Sequence, residues 1–202
     1  MKQTTPRRSQ RERRAESEQK LLAATAQLIV ERGMSELSLT AIGQRAGCSH
    51  ALVNHLFGTK AAMIERLNDT VDEMYRAHIP AAIEGKVGVD AIVALAEAYL
   101  TLVTSDDPMA RVHVVLWAQA VAGAADIRDS RIEWDRHFRQ GMSEVIARAT
   151  GRSSVDSYCR SSALVIVGLL RGVAMQHLLD PDIGSPATAF DRVRDAIRGI
   201  VG

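Results

Sequence analysis

The chain has 202 residues, 47% hydrophobic, 24% charged and only 4% aromatic, with a formal net charge of +1. That length suffices for one or two domains with a true core, and the scarcity of aromatics leaves that core to Ala, Val, Leu and Ile. Two isolated cysteines, Cys48 and Cys159, exclude a disulfide framework and a zinc site, and the longest apolar run, Ala163 to Leu170, is too short to span a membrane and is followed by Arg171.

Charge is unevenly placed. Residues 1–70 carry eleven Lys or Arg against seven Asp or Glu, a balance of +4, while residues 71–202 stand at −3. A basic head on a faintly acidic body suits a polyanion partner. Residues 1–14, MKQTTPRRSQRERR, hold six basic residues and one acid and predict a flexible arm. Their charged start predicts no secretory leader, and with no membrane span the expected compartment is the cytoplasm. Arginines 7, 8, 11, 13 and 14 are placed to follow a phosphate backbone or a minor groove.

Strand signals are absent, so the expected fold class is all-α: nine helices in two domains. The first helix is expected over Ala15 to Arg32, with Gly33 stopping it and Leu21, Leu22, Thr25, Leu28, Ile29 and Arg32 forming its stripe. Two short helices follow, Leu39 to Ala46 and Ser49 to Phe57, with Gly47 and Cys48 as the turn. Ser38 and Ser49 stand where N-caps belong. Ile42, Ala46, Val53, Leu56 and Phe57 are expected to face inward, leaving His50, Ala51, Asn54 and His55 outside. Helix, glycine turn, helix is the outline of a DNA-reading module. This divides the chain into an arm (1–14), a helix-turn-helix domain (15–59) and a helical body (60–202).

The fourth helix is expected from Lys60 to Ile79, ended by Pro80, with Met63, Leu67, Val71, Met74 and His78 as its stripe. Further helices are expected over Val89–Thr104, Pro108–Ala122, Ala125–Thr150, Val155–Leu179 and Pro186–Val201. The eighth, through ALVIVGLLRGVAMQHLL, is apolar on nearly every side and must be covered by its own domain or by a second copy of the chain. Gly168 and Gly172, four apart, allow close helix approach.

Residues 15–66 resemble the DNA-binding domain of the tetracycline-repressor-like (TetR) transcriptional regulators. The likeness rests on a long first helix ending in ERG, the SLTAIGQRAG run, and HALVNHLFGTKAAM. Ala46-Gly47-Cys48-Ser49 stands where the family often has Ala-Gly-Val-Ser, and Phe57-Gly58-Thr59-Lys60 where it has Phe-x-Ser-Lys. Asn54 stands where Tyr is frequent, and Gly43 replaces a usual Ala, which lowers the helix propensity of that segment.

The resemblance implies that 60–202 is a ligand-binding and dimerisation domain, a body that binds a small-molecule effector and, by moving the fourth helix, respaces two readers. It also implies a homodimer through a four-helix bundle, here Val155–Leu179 and Pro186–Val201 of each copy, on a palindromic double-stranded DNA operator. Base reading is expected from His50, Ala51 and Asn54; phosphate contacts from Ser38, Thr40, Arg45, Ser49, His55, Thr59 and Lys60. Polar and aromatic residues on inward stripes, Tyr75, His78, Tyr99, His113, Trp117, Trp134 and Phe138, are the effector candidates. No catalytic, metal or cofactor motif is found. The competing expectation is a helical interaction protein that no longer reads DNA.

Overall fold

The computed structural model describes residues 9–202, the side chain of Asp126 excepted; the expectation for Arg7 and Arg8 lies outside them. The described residues form nine α-helices and no strand: α1 (Gln10–Arg32), α2 (Leu39–Ala46), α3 (His50–Phe57), α4 (Lys60–Ile83), α5 (Gly88–Val103), α6 (Pro108–Val121), α7 (Ala125–Ala149), α8 (Ser157–Leu179) and α9 (Pro186–Val201). They divide into two compact units, one running to Leu67 and the other Asn68–Gly202, so the division falls inside α4.

α1 begins earlier than expected. Ser9 and Glu12 form a reciprocal capping box: the Ser9 hydroxyl accepts from the Glu12 N–H (3.2 Å), and the Glu12 carboxylate accepts from the Ser9 N–H (2.8 Å). Arg11, Arg13 and Arg14 therefore stand, exposed, on the first turns of a helix. Leu21, Leu22, Thr25, Leu28 and Ile29 are buried, whereas Arg32, at the last turn, is exposed. Met34, Leu37, Ile42, Val53, Met63, Ile64 and Leu67 complete the core of this unit.

α4 runs through Pro80 and ends at Ile83. Proline removes the hydrogen bond to the carbonyl four residues back. Here only the final turn follows it, so one lost bond does not end the helix where the sequence suggested. The buried face of α4 is Met63, Leu67, Val71 and Tyr75, an unbroken i, i+4 series. Met74 is half-buried and His78 is exposed, because that series turns the 74/78 row away from the core.

In the second unit α8 packs against α5, α6, α7 and α9, and α5 against α6, α7 and α9. Ile92, Leu95, Leu116, Ile127, Met142, Ile146, Ile166, Leu170 and Ile197 are among its buried residues. α8 starts at Ser157 because Asp156 caps it, accepting from the Cys159 N–H at 2.9 Å. Although its uninterrupted apolar run is short, the whole helix is by length and composition apolar enough to cross a membrane, as the core helix of a folded domain can also be. One of its faces is core (Cys159, Ala163, Ile166, Val167, Leu170, Ala174), and the opposite face exposes Leu164, Val165, Gly168, Gly172, Met175 and Leu179. α9 differs: its apolar stripe, Phe190, Val193, Ile197 and Val201, is buried in its own unit, and its outer face carries Asp191, Arg192, Asp195 and Arg198.

Candidate functional site

Three of the four ends of the two short helices, and the start of α4, are tied by local chemistry. Ser38 accepts from the Ala41 N–H and Ser49 from the Leu52 N–H, both at 3.2 Å, and Thr59 accepts from the Ala62 N–H at 3.1 Å at the start of α4. Gly47 closes α2 in the left-handed region, φ 65°, its N–H reaching back to the Gln44 carbonyl. Gly43 has a second meaning besides low propensity. It is buried, and a Cβ there would stand 3.1 Å from both the Cys48 carbonyl oxygen and Val53 Cγ2. Its lack of a side chain lets α2 approach α3 closely.

With Val53 buried beneath, α3 presents His50, Ala51, Asn54 and His55 outward. The Asn54 amide Nδ2 donates to His50 Nδ1 at 3.1 Å. This places the remaining proton of the neutral imidazole on Nε2, pointing a donor outward, while Asn54 keeps one amide hydrogen and its carbonyl oxygen for a partner. The i, i+4 bond holds both side chains ready before any base is met. Ser38, Thr40, Ser49 and Thr59 are also exposed. Arg45 is engaged: its guanidinium donates to both Glu31 carboxylate oxygens, at 2.8 and 2.6 Å, and holds that carboxyl below its usual range. Half-buried Lys60 donates to the Met34 carbonyl at 2.8 Å, which anchors the start of α4.

The second unit gathers five of the seven effector candidates. Tyr75, Tyr99, His113, Trp134 and Phe138 form one ring cluster: His113–Trp134 centroids are 4.2 Å apart, Tyr75–His113 5.1 Å, Tyr99–Phe138 5.8 Å, and Trp134 stacks on Phe138 at 5.2 Å. Tyr75 donates to the Ala110 carbonyl at 3.1 Å. Trp117 stands beside the cluster, half-buried under the Arg171 guanidinium at 5.2 Å. His78 is outside it. An open groove on α7, lined by Asp129, Ile132, Glu133, Arg136 and His137, shares no residue with the cluster.

Three members were not singled out from sequence: Arg131, Asp135 and Arg171, which are 3%, 9% and 7% exposed. Asp135 pairs with both Arg171 and Arg139. Arg131 donates to His113 Nδ1 at 3.3 Å and lies over the Trp134 ring at 5.1 Å. Burial pulls Arg131 down to about 10, leaving it charged at neutral pH, and pushes Tyr99 up to about 12. The available signal was charge in register: Arg131 and Asp135 flank Trp134 on a stripe that also carries Phe138.

Burial, helped by Arg131 and Arg171, drives His113 well below 6.5, so the ring is neutral in the folded protein. The unfolded chain takes up a proton near 6.5 that the folded chain refuses, so this contribution to stability is complete above that pH and is lost as pH falls. We expect the denaturation midpoint to fall between about pH 7.5 and 5, and His113→Gln to flatten that fall. Glu31 and Asp156, whose carboxyls are held below 4.5 and 3.8, act only in more acid solution. An unchanged slope in His113→Gln contradicts the buried neutral ring.

Comparison with known proteins agrees with this geometry. Residues 21–67 match the bacterial regulatory proteins of the tetR family, and residues 89–202 match the C-terminal part of BetI-type transcriptional repressors. The HTH-type transcriptional regulator BetI 2 of Chromohalobacter salexigens is 28% identical over 179 residues, 80% of each chain. A transcriptional regulator from Rhodococcus sp. Rha1 shares the fold with a TM-score of 0.78 at 22% identity, covering 91% of this chain and 95% of its own. NalD, the secondary repressor of the MexAB-OprM multidrug efflux pump in Pseudomonas aeruginosa, does so with a TM-score of 0.69 at 18% identity, covering 93% and 98%. The exposed, capped α3 and the two matches together account for most of the chain, which belongs to the tetR family of bacterial regulatory proteins and is a DNA-binding transcriptional regulator.

Proposed function

We propose that the protein is a homodimeric repressor in the cytoplasm whose hold on a palindromic operator is controlled by a small-molecule effector. The observation that carries this reading is the outward face of α3, where His50 and Asn54 are already oriented by their mutual hydrogen bond above a buried Val53. In this reading residues 15–59 are the reader and 60–202 the effector and dimer domain, with Arg11, Arg13 and Arg14, on the first turns of α1, following the DNA backbone. His50, Ala51 and Asn54 meet base edges. Ser38, Thr40, Ser49, His55 and Thr59 hold phosphates, with Arg45 and Lys60 fixing the reader's own geometry as well as adding charge.

One reader makes a small interface, so specific binding needs two, on half-sites about 34–36 Å apart. The exposed apolar face of α8 supports pairing of two copies, with α9 flanking it. The effector binds among Tyr75, Tyr99, His113, Trp134 and Phe138 and acts only by its difference in affinity for two states of the protein. α4 carries Lys60 at one end and Tyr75 near the other, so one continuous helix belongs to both readings.

A band-shift assay on the DNA upstream of the chain's own coding region tests this. A selective, salt-sensitive shift is expected. Asn54→Ala should remove about 1–3 kcal/mol of discrimination at one base pair per half-site, whereas Lys60→Ala should weaken all sequences alike. Equal losses on every sequence for Asn54→Ala would exclude base reading by Asn54. A folded dimer with no selective shift would instead be a helical interaction protein.

A further inference from the structure

The buried cluster of the second unit carries more hydrogen-bond donors and more positive charge than the protein itself satisfies. Arg131 can only donate, so its bond to His113 makes Nδ1 the acceptor and places the ring proton on Nε2. Among the described residues, His113 Nε2, Trp134 Nε1, the Tyr99 hydroxyl and the Nε groups of Arg131 and Arg171 are buried with no group within hydrogen-bond geometry, although the Tyr99 hydroxyl lies in the field of Arg171. Apart from the hydroxyl, these groups can only donate. Asp135 is the one buried acid among the described residues, and it is committed to Arg171 and Arg139. Arg131 has no carboxylate within ion-pair distance among the described residues, and the two acids whose fields reach it, Asp72 and Asp135, are bonded to Arg76 and to Arg171 and Arg139 respectively. A buried guanidinium without a counter-charge is destabilising, as are buried donors without acceptors.

The geometry points to a small organic anion, a carboxylate on an aromatic or apolar body, as the ligand chemistry of this cluster, with Arg131 and His113 Nε2–H receiving the carboxylate. This rests on the reading of the cluster as the effector site. A carboxylate supplies what the cluster lacks, namely negative charge and acceptor lone pairs, and charge-assisted bonds to Arg are strong where water is excluded. The rings of Tyr99 and Phe138 supply apolar surface for the body of such a molecule. A cationic ligand finds the opposite: the Trp134 ring that would attract it already lies under the Arg131 guanidinium.

The test uses the full-length protein and two matched sets of probes: phenylacetate, phenylacetamide and phenethylammonium, then hexanoate, hexanamide and hexylammonium. Binding is followed by calorimetry and by thermal shift. The acids are expected to bind at least about tenfold more tightly than the amides, and the amines not at all. Arg131→Met should melt no lower than the parent, because it removes an unpaired buried charge, and should bind acid and amide alike. Tyr99→Phe, which removes only a hydroxyl, should keep the fold and weaken the acids several-fold. An amide or amine that binds as tightly as its acid, or an Arg131→Met protein that keeps the preference, overturns the anion assignment and leaves the effector reading standing. No saturable binding by any of the six probes overturns both.

Discussion

Asp135→Ala is expected to lower the stability of the C-terminal unit by roughly 3–5 kcal/mol, a large part of the 5–15 kcal/mol that a typical domain possesses. The aspartate is 9% exposed and accepts from Arg171, itself 7% exposed, and from Arg139. Truncation leaves Arg171 buried without its acid, in the same cluster as Arg131, which has no ion-pair partner among the described residues. The penalty is the stranded charge rather than the lost attraction, so removing both partners should relieve it. Asp135→Leu combined with Arg171→Met should recover most of the loss. The pair Arg192–Asp195 on the outer face of α9 has side chains 88% and 65% exposed, and breaking it should change little. Denaturant unfolding of the three variants, followed through the C-terminal transition, checks the ordering. A single Asp135→Ala no weaker than the surface variant would remove the buried pair from the account.

Val165→Arg is expected to give a folded monomer that loses operator affinity by at least about a hundredfold, because two linked half-site contacts become two separate ones. Val165 is 54% exposed between Leu164, at 60%, and Gly168, whose outer side meets no atom within 4 Å. An arginine there disturbs nothing in the chain's own core, yet in a dimer through this face it meets its copy across a two-fold axis. Val87→Arg, at an equally apolar and 81% exposed position before α5, is the control and should remain dimeric. Sedimentation and band-shift titration read the two effects separately. A Val165→Arg protein that stays dimeric and keeps its affinity would move the interface off α8.

How much was legible beforehand follows from the range of the interactions involved. The helix-turn-helix was readable because its chemistry is local: Ser38, Ser49 and Thr59 each accept from a backbone N–H three residues on. The capping box that starts α1 at Gln10 was equally local, and the basic composition around it masked the signal. Pro80 was read by its usual effect, which weakens when only a final turn follows. His78 was placed inward by periodicity, but a stripe read to within one residue on a helix can be turned by 100°, enough to bring Tyr75 in and leave His78 out.

The sequence by itself determined the class of fold, the helix order, the reader and its outward residues, because periodicity, caps and turn glycines act over a few residues. Only the tertiary structure decided why position 43 is glycine, which side of α8 stays uncovered, and which polar groups in the body find partners. The physical reason is separation along the chain. Gly43 answers to Val53 on the next helix, and Arg171 answers to Asp135, 36 residues away. Arg131 answers to His113, 18 residues away. No window of sequence contains both members of such pairs with their geometry, and packing alone brings them together or leaves one without a partner.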